Sequence, residues 1–120
     1  MGAIGLPGDL SSQSRFVRAA FTRLNAKSED GEMESVSQFF HILTAAEQTR
    51  GCCELENGKF EITLYSSCCS AGTGRYYYTT YENRQITAVS LFEEDLDARG
   101  LVRFPLVNQQ SVRYLNGKNA

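Results

Sequence analysis

Apolar positions recur along this chain at two different periods, and the change between them divides it. Phe16, Val17, Ala20, Phe21 and Leu24 fall on one face at helical spacing. An amphipathic helix is therefore expected to begin at Ser11 or Ser12, either of which can cap it. Arg18 and Arg23 lie largely off the stripe, and Arg15 stands at its leading edge. A polar linker over 25–31 has turn chemistry. Val36, Phe39, Phe40, Leu43 and Ala46 then make a second helical stripe over 32–48, with acidic residues in its first turn and Gly51 as its stop. From Lys59 the period becomes two: Phe60, Ile62 and Leu64 alternate with Glu61, Thr63 and Tyr65. The glycine-containing loop 70–74 reverses the chain into Tyr76-Tyr77-Tyr78-Thr79-Thr80-Tyr81, its densest β-forming run. A turn at 82–84 leads to a third strand over 85–91, and 101–107 is expected as a weaker edge strand because of Pro105. The order is helix, helix, then an antiparallel meander. This is an α+β arrangement with the helix pair covering one face of the sheet.

Length and charge narrow the picture. At 120 residues the chain is at most one domain, taken here as 1–120 with a polar, frayed tail over 109–120. The hydrophobic fraction of 42% is that of an ordinary globular core. A net charge of −2 and a pI near 5.4 argue against nucleic acid as a partner. No stretch approaches the roughly 20 apolar residues of a membrane span, and no basic-then-apolar leader opens the chain. A soluble cytoplasmic protein, with no membrane partner, is expected.

The cysteines come as adjacent pairs, Cys52-Cys53 and Cys68-Cys69. Neighbouring residues in a strand point to opposite faces, whereas zinc ligands are usually two to four residues apart so that both turn inward. His41, the sole histidine, lies far off within a helical pattern. No metal is expected, and the thiols are read as reduced, small apolar side chains.

The chain shows no complete catalytic constellation. Arg15 and Arg18 stand at a helix start, where the dipole slightly disfavours a cation. They serve either to hold an anion or developing negative charge through the guanidinium fork, or as surface arginines paired with Asp9 or water. His41, between Phe40 and Ile42, is expected to pack within the helix pair. Ser66, Ser67, Cys68 and Cys69 end a strand with no adjoining charge to activate a thiol. Gly72-Thr73-Gly74 lacks the lysine of a phosphate loop and is a hairpin turn. The tyrosines are sheet packing with wet hydroxyl tips, and Glu93, Glu94, Asp95 and Asp97 form a solvated turn.

Segments 5–21 (GLPGDLSSQSRFVRAAF), 37–43 (SQFFHIL), 65–69 (YSSCC), 76–83 (YYYTTYEN) and Gln85-Ile86 together resemble the choloylglycine hydrolases, which include bile salt hydrolases and penicillin V acylases. The matches keep their order over nearly the whole chain and look most like bile salt hydrolases. The resemblance is to the C-terminal part of the family's chains. It implies a portion of a four-layer αββα N-terminal nucleophile hydrolase. It also implies a cysteine nucleophile, made N-terminal by loss of methionine, whose α-amino group is the base. The substrate is the amide of a glycine- or taurine-conjugated bile salt, with no cofactor. Arg15, in the Ser-Arg-Phe segment, is implied to lie beside the nucleophile and is the one catalytic residue carried over. Here Gly2 follows Met1, and none of the four cysteines matches the nucleophile. A chain of this sequence is therefore expected to be inactive alone, with the apolar faces of its strands or helices exposed. The alternatives are a penicillin V acylase-like fragment, a non-catalytic chain acting by self-association or binding, or an unrelated α+β binding module. A homo-oligomer is compatible with each.

Overall fold

The computed structural model describes residues 2–117. They fall into two units, one ending at Thr63 and the other beginning at Leu64. The first holds α1 (Ser12–Asn25) and α2 (Glu32–Thr44), and the second holds β1 (Tyr65–Ser70), β2 (Arg75–Thr80) and β3 (Thr87–Ser90). The sheet runs β1-β2-β3 with both pairings antiparallel, the meander expected from the change of period.

α1 starts where its cap allows. Ser11 is extended (φ −64°, ψ 155°) and its hydroxyl accepts the Ser14 N–H, satisfying one of the helix's orphan donors. The apolar stripe of α1 is present but uncovered: Phe16 is 73% exposed and Leu24 is 80% exposed. α2 begins after Gly31, whose φ of 121° suits only glycine, and Glu32 and Glu34 sit at the positive end of its dipole. Val36 is the buried apolar residue of this helix.

α2 stops at Thr44 rather than running to residue 48. Past Leu43 the backbone tightens: Ala45, Ala46 and Glu47 donate to carbonyls three residues back, Ile42, Leu43 and Thr44. The segment 59–65 is likewise not a continuous strand. An isolated antiparallel bridge joins Glu54 to Phe60 around a short 3₁₀ turn, and Glu61 donates to the Cys53 carbonyl at 2.9 Å. Thr63 N donates to the Gln48 carbonyl at 3.1 Å.

In the second unit, Tyr65 pairs with Thr80 and Ser70 with Arg75, and the register continues from Arg75 opposite Ser90 to Tyr78 opposite Thr87. The alternation puts Tyr77 inside and leaves Tyr76 partly exposed, the two-faced use expected of the run. Asn83 holds the β2–β3 turn and is 1% exposed. Its Oδ1 accepts from Gln85 N at 3.0 Å, and its Nδ2 donates to the Val107 carbonyl at 3.2 Å.

No strand forms at 101–107 among the described residues. This segment is tied by side chains instead: Val107 N donates to the Tyr78 hydroxyl at 3.0 Å, so that tyrosine tip is bonded rather than wet. Gln110 Oε1 accepts from Arg84 N at 2.8 Å. Of the tail expected over 109–120, residues 118–120 lie outside those described.

Candidate active site

The loop before α1 is a hydrogen-bonded turn built on Asp9. One carboxylate oxygen accepts the Ser11 N–H at 2.9 Å and the other accepts the Ser14 hydroxyl at 2.6 Å. Donation from Ser11 and Ser14 favours the charged carboxylate and lowers the Asp9 pKa to about 2. Ser14, drawn in, is buried. The Asp-x-Ser-x-x-Ser spacing carries this turn, a signal present in the sequence that the periodicity did not pick out.

With its carboxylate occupied, Asp9 does not pair with an arginine side chain. Arg18 reaches its backbone instead. The Arg18 Nη1 donates to the carbonyls of Asp9 at 2.6 Å and Pro7 at 3.1 Å, and its Nε donates to the carbonyl of Ala45 at 3.2 Å. Arg15 Nε donates to the Ala46 carbonyl at 3.0 Å. The two arginines thus cap the C-terminal end of α2 from across the unit, meeting carbonyls at the negative end of its dipole. This accounts for the early stop of α2.

The two residues differ in what they leave over. Arg18 is spread over three carbonyls, which fixes the loop 7–9 against the exit of α2. Arg15 is anchored by Nε alone, and its two terminal nitrogens have no hydrogen-bond partner among the described residues. A half-buried guanidinium held at its neck with its fork unoccupied is placed to donate to an anion. Helical spacing alone treats Arg15 and Arg18 alike; their hydrogen bonds separate them.

Gln48 completes the frame. It is 2% exposed, its N–H donates to the Thr63 hydroxyl at 2.8 Å and its Nε2 donates to the Leu10 carbonyl at 3.3 Å. Its Oε1 is buried and has no hydrogen-bond partner among the described residues. Nothing in the local pattern marks this residue, because its partners lie 15 and 38 residues away.

Cys53 belongs to the same unit. Its thiol donates to the Glu61 carboxylate at 3.5 Å, and that bond, burial and the carboxylate's charge push its pKa up, opposed by the charge of Arg15. A thiol kept protonated is a poor nucleophile. Cys52 and Cys69 are exposed, and no disulfide joins the four cysteines. No group of three or more His, Cys, Asp or Glu side chains gathers as a metal site among the described residues. His41, expected to pack in the helix pair, is exposed on the last turn of α2. The loop 71–74 is the hairpin turn between β1 and β2, closed by Gly74 N on the Ser70 carbonyl at 2.9 Å. Among the described residues no helix is long and apolar enough to cross a membrane.

Comparison with known proteins gives this geometry its context. The family model for linear amide C–N hydrolases of the choloylglycine hydrolase family matches residues 1–104. A bile salt hydrolase/transferase of Lactiplantibacillus plantarum is 56% identical over 97% of this chain and 36% of its own length. One from Clostridium perfringens is 36% identical over 96% of the chain and 35% of its own. A solved structure of the conjugated bile acid hydrolase of Clostridium perfringens superposes with a TM-score of 0.85 at 37% identity, over 97% of this chain and 35% of that one. A penicillin V acylase from Agrobacterium tumefaciens shares the fold at a TM-score of 0.65 and 16% identity, over 78% of this chain and 29% of that one. The chain spans about a third of the length of the curated relatives it matches. Its two helices and three-stranded sheet correspond to part of the larger fold of these neighbours. On the family match and the shared fold together, the chain belongs to the choloylglycine hydrolase family of linear amide C–N hydrolases.

Proposed function

We propose that this chain is the C-terminal third of a bile salt hydrolase site, supplying Arg15 to the cleavage of the amide bond of glycine- or taurine-conjugated bile salts. The observation that carries the reading is the combination of a bile salt hydrolase relative matching 97% of the chain with an Arg15 whose terminal nitrogens have no hydrogen-bond partner among the described residues. The nucleophile and its base belong to the part of the fold that this chain does not span. There a cysteine thiolate attacks the amide carbon, the C–N bond breaks, glycine or taurine leaves with a proton, and water hydrolyses the thioester to the free bile acid. Arg15 touches the reacting atoms by donating from its terminal nitrogens to the thiolate or to the oxygen that gains charge on attack. Arg18, Gln48 and the Asp9 turn are positioning groups: they fix the backbone on which Arg15 rests.

A polypeptide of this sequence alone is inactive on this reading. The Cys53 thiol, held protonated beside Glu61, does not substitute for an activated nucleophile. The test is a single-chain fusion of this sequence to the remaining two thirds of the Lactiplantibacillus plantarum relative, assayed for release of glycine and taurine. The fusion is expected to hydrolyse conjugated bile salts. Arg15→Ala is expected to lower kcat by roughly 10²–10³, the loss typical of one donor to developing charge. Activity unaffected by Arg15→Ala, or strong release by this chain by itself, would contradict the proposal. Preference for phenoxymethylpenicillin over bile salts in the same fusion would select the penicillin V acylase alternative.

A further inference from the structure

The hairpin over 53–61 carries a pair that amide cleavage, as described so far, leaves unused. Cys53 and Glu61 stand opposite each other just outside the Glu54–Phe60 bridge, and Glu61 N donates to the Cys53 carbonyl at 2.9 Å. Opposite residues of an antiparallel pair send their side chains to the same face. On that face the Cys53 thiol donates to Glu61 Oε2 at 3.5 Å. Thr63 ties the hairpin to the exit of α2: its N–H donates to the Gln48 carbonyl at 3.1 Å, and its hydroxyl accepts the Gln48 N–H at 2.8 Å. Gln48 follows closely on Ala46, whose carbonyl accepts from Arg15 Nε at 3.0 Å. Arg15, Cys53 and Glu61 are thereby gathered within one unit, all three half-buried.

Charge alone does not explain the partners chosen within this group. A thiol is a weak donor to a carboxylate, whereas a guanidinium fork matches one bidentately with charge on both sides. Yet Glu61 meets the thiol and Arg15 uses its Nε on a carbonyl; no ion pair joins the two among the described residues. The thiol is acted on by both charges. Its bond to Glu61, burial and the carboxylate's charge push its pKa up, and the Arg15 charge opposes them. A neutral group set under the influence of both members of an unmade ion pair acts as their spacer. Each charge has its own tether, the Ala46 carbonyl for Arg15 and the thiol for Glu61, and only the thiol can be removed by a side-chain change. Resting on the reading above that Arg15 offers its fork to the reaction, we propose that Cys53 is a positioning residue for Arg15: its neutral thiol holds the Glu61 carboxylate off the guanidinium, leaving the fork free for the anion formed in amide cleavage.

The experiment labels the arginines of this chain with nitrogen-15 and follows the Arg15 terminal nitrogens by NMR, with every variant confirmed as folded by circular dichroism. A free fork rotates and gives one averaged Nη signal, whereas a fork gripped by a carboxylate gives separate ones. The wild-type chain is expected to show the averaged signal. Cys53→Ala is expected to split it, and Cys53→Ala combined with Glu61→Gln to restore it. Cys53→Ser, whose hydroxyl donates to the same carboxylate, is expected to match wild type. A Cys53→Ala signal identical to wild type, or a splitting that Glu61→Gln does not reverse, overturns the proposal. Titration of the Cys53 Cβ resonance needs no change at position 53. Its midpoint is expected to fall in Glu61→Gln and to rise in Arg15→Ala, and midpoints that do not move overturn the grouping. In the fusion described above, Cys53→Ala is expected to lower kcat ~10-fold with KM little changed, and adding Glu61→Gln to recover it. A fusion that is inactive, or that is indifferent to Arg15→Ala, removes the functional reading, while the Arg15 signal still decides whether the thiol is the spacer. An Arg15-dependent fusion indifferent to Cys53→Ala overturns the positioning role and leaves that reading standing.

Discussion

The two most deeply buried side chains in the described structure are both amides, and they stand in opposite situations. Asn83, in the β2–β3 turn, uses its oxygen on Gln85 N and its nitrogen on the Val107 carbonyl. Its N–H meets the Thr80 hydroxyl at 3.0 Å, and its carbonyl accepts from Thr80 N at 3.0 Å. Gln48, in the helical unit, uses its nitrogen on Leu10, while its buried oxygen has no hydrogen-bond partner among the described residues. A satisfied buried amide rigidifies its surroundings, whereas an unsatisfied buried acceptor raises the energy of the state that contains it. The β2–β3 turn is therefore complete in itself. The frame around Arg15 leaves one buried acceptor without a partner among the described residues.

The comparison breaks most directly at Asn83. Asn83→Ala removes two bonds whose partners are left behind, and a loss of roughly 3 kcal/mol is expected by denaturant titration, with faster amide exchange at Gln85. Gln48→Met should cost about 1 kcal/mol, because the lost bond to Leu10 is offset by removal of the orphaned oxygen. Equal losses at the two positions would end the distinction. The helix cap gives a similarly small but separate effect. Ser11→Ala is expected to cost about 1 kcal/mol, seen as lowered helical circular dichroism, because the Ser14 N–H loses its acceptor.

The smallest effect belongs to acid. The Asp9 pKa is lower in the folded chain, so its contribution is complete above the unfolded value of 3.8 and disappears as pH falls through about 2. Helical signal should therefore fall between about pH 4 and pH 2, and Asp9→Asn should flatten that part of the titration. An unchanged acid transition in Asp9→Asn would show that the carboxylate's bonds to Ser11 and Ser14 do not couple to folding.

Particular elements show what the sequence could disclose. The start of α1 was legible because its cap is local: Ser11 and Ser14 are three residues apart. The meander was legible from the change of period and the tyrosine run, though β1 begins only at Tyr65. The bridge at Glu54 and Phe60 leaves the residues between it and β1 outside any ladder. The end of α2 was overrun because its cap is remote, arriving from Arg15 and Arg18 at separations of 31 and 27 residues. The same remoteness hid Gln48. Arg15 was singled out by its resemblance to a family motif; helical spacing could not tell it from Arg18, since the difference lies in which carbonyls each one occupies. No strand forms at 101–107 among the described residues; at its end the Val107 carbonyl and N–H bond to the Asn83 side chain and the Tyr78 hydroxyl.

The guanidinium cap on α2 also bears on how the chain can vary. Ala45 and Ala46 enter the arrangement through backbone carbonyls, which every residue type supplies. Their side chains can drift among small residues without loss of the stop signal, while Arg18, the remote donor, cannot become lysine and still reach three carbonyls from two nitrogens of one fork. Substitution tolerance in this unit should then run opposite to distance from the helix end: permissive at the terminus itself, and strict at an arginine 27 residues earlier in the chain.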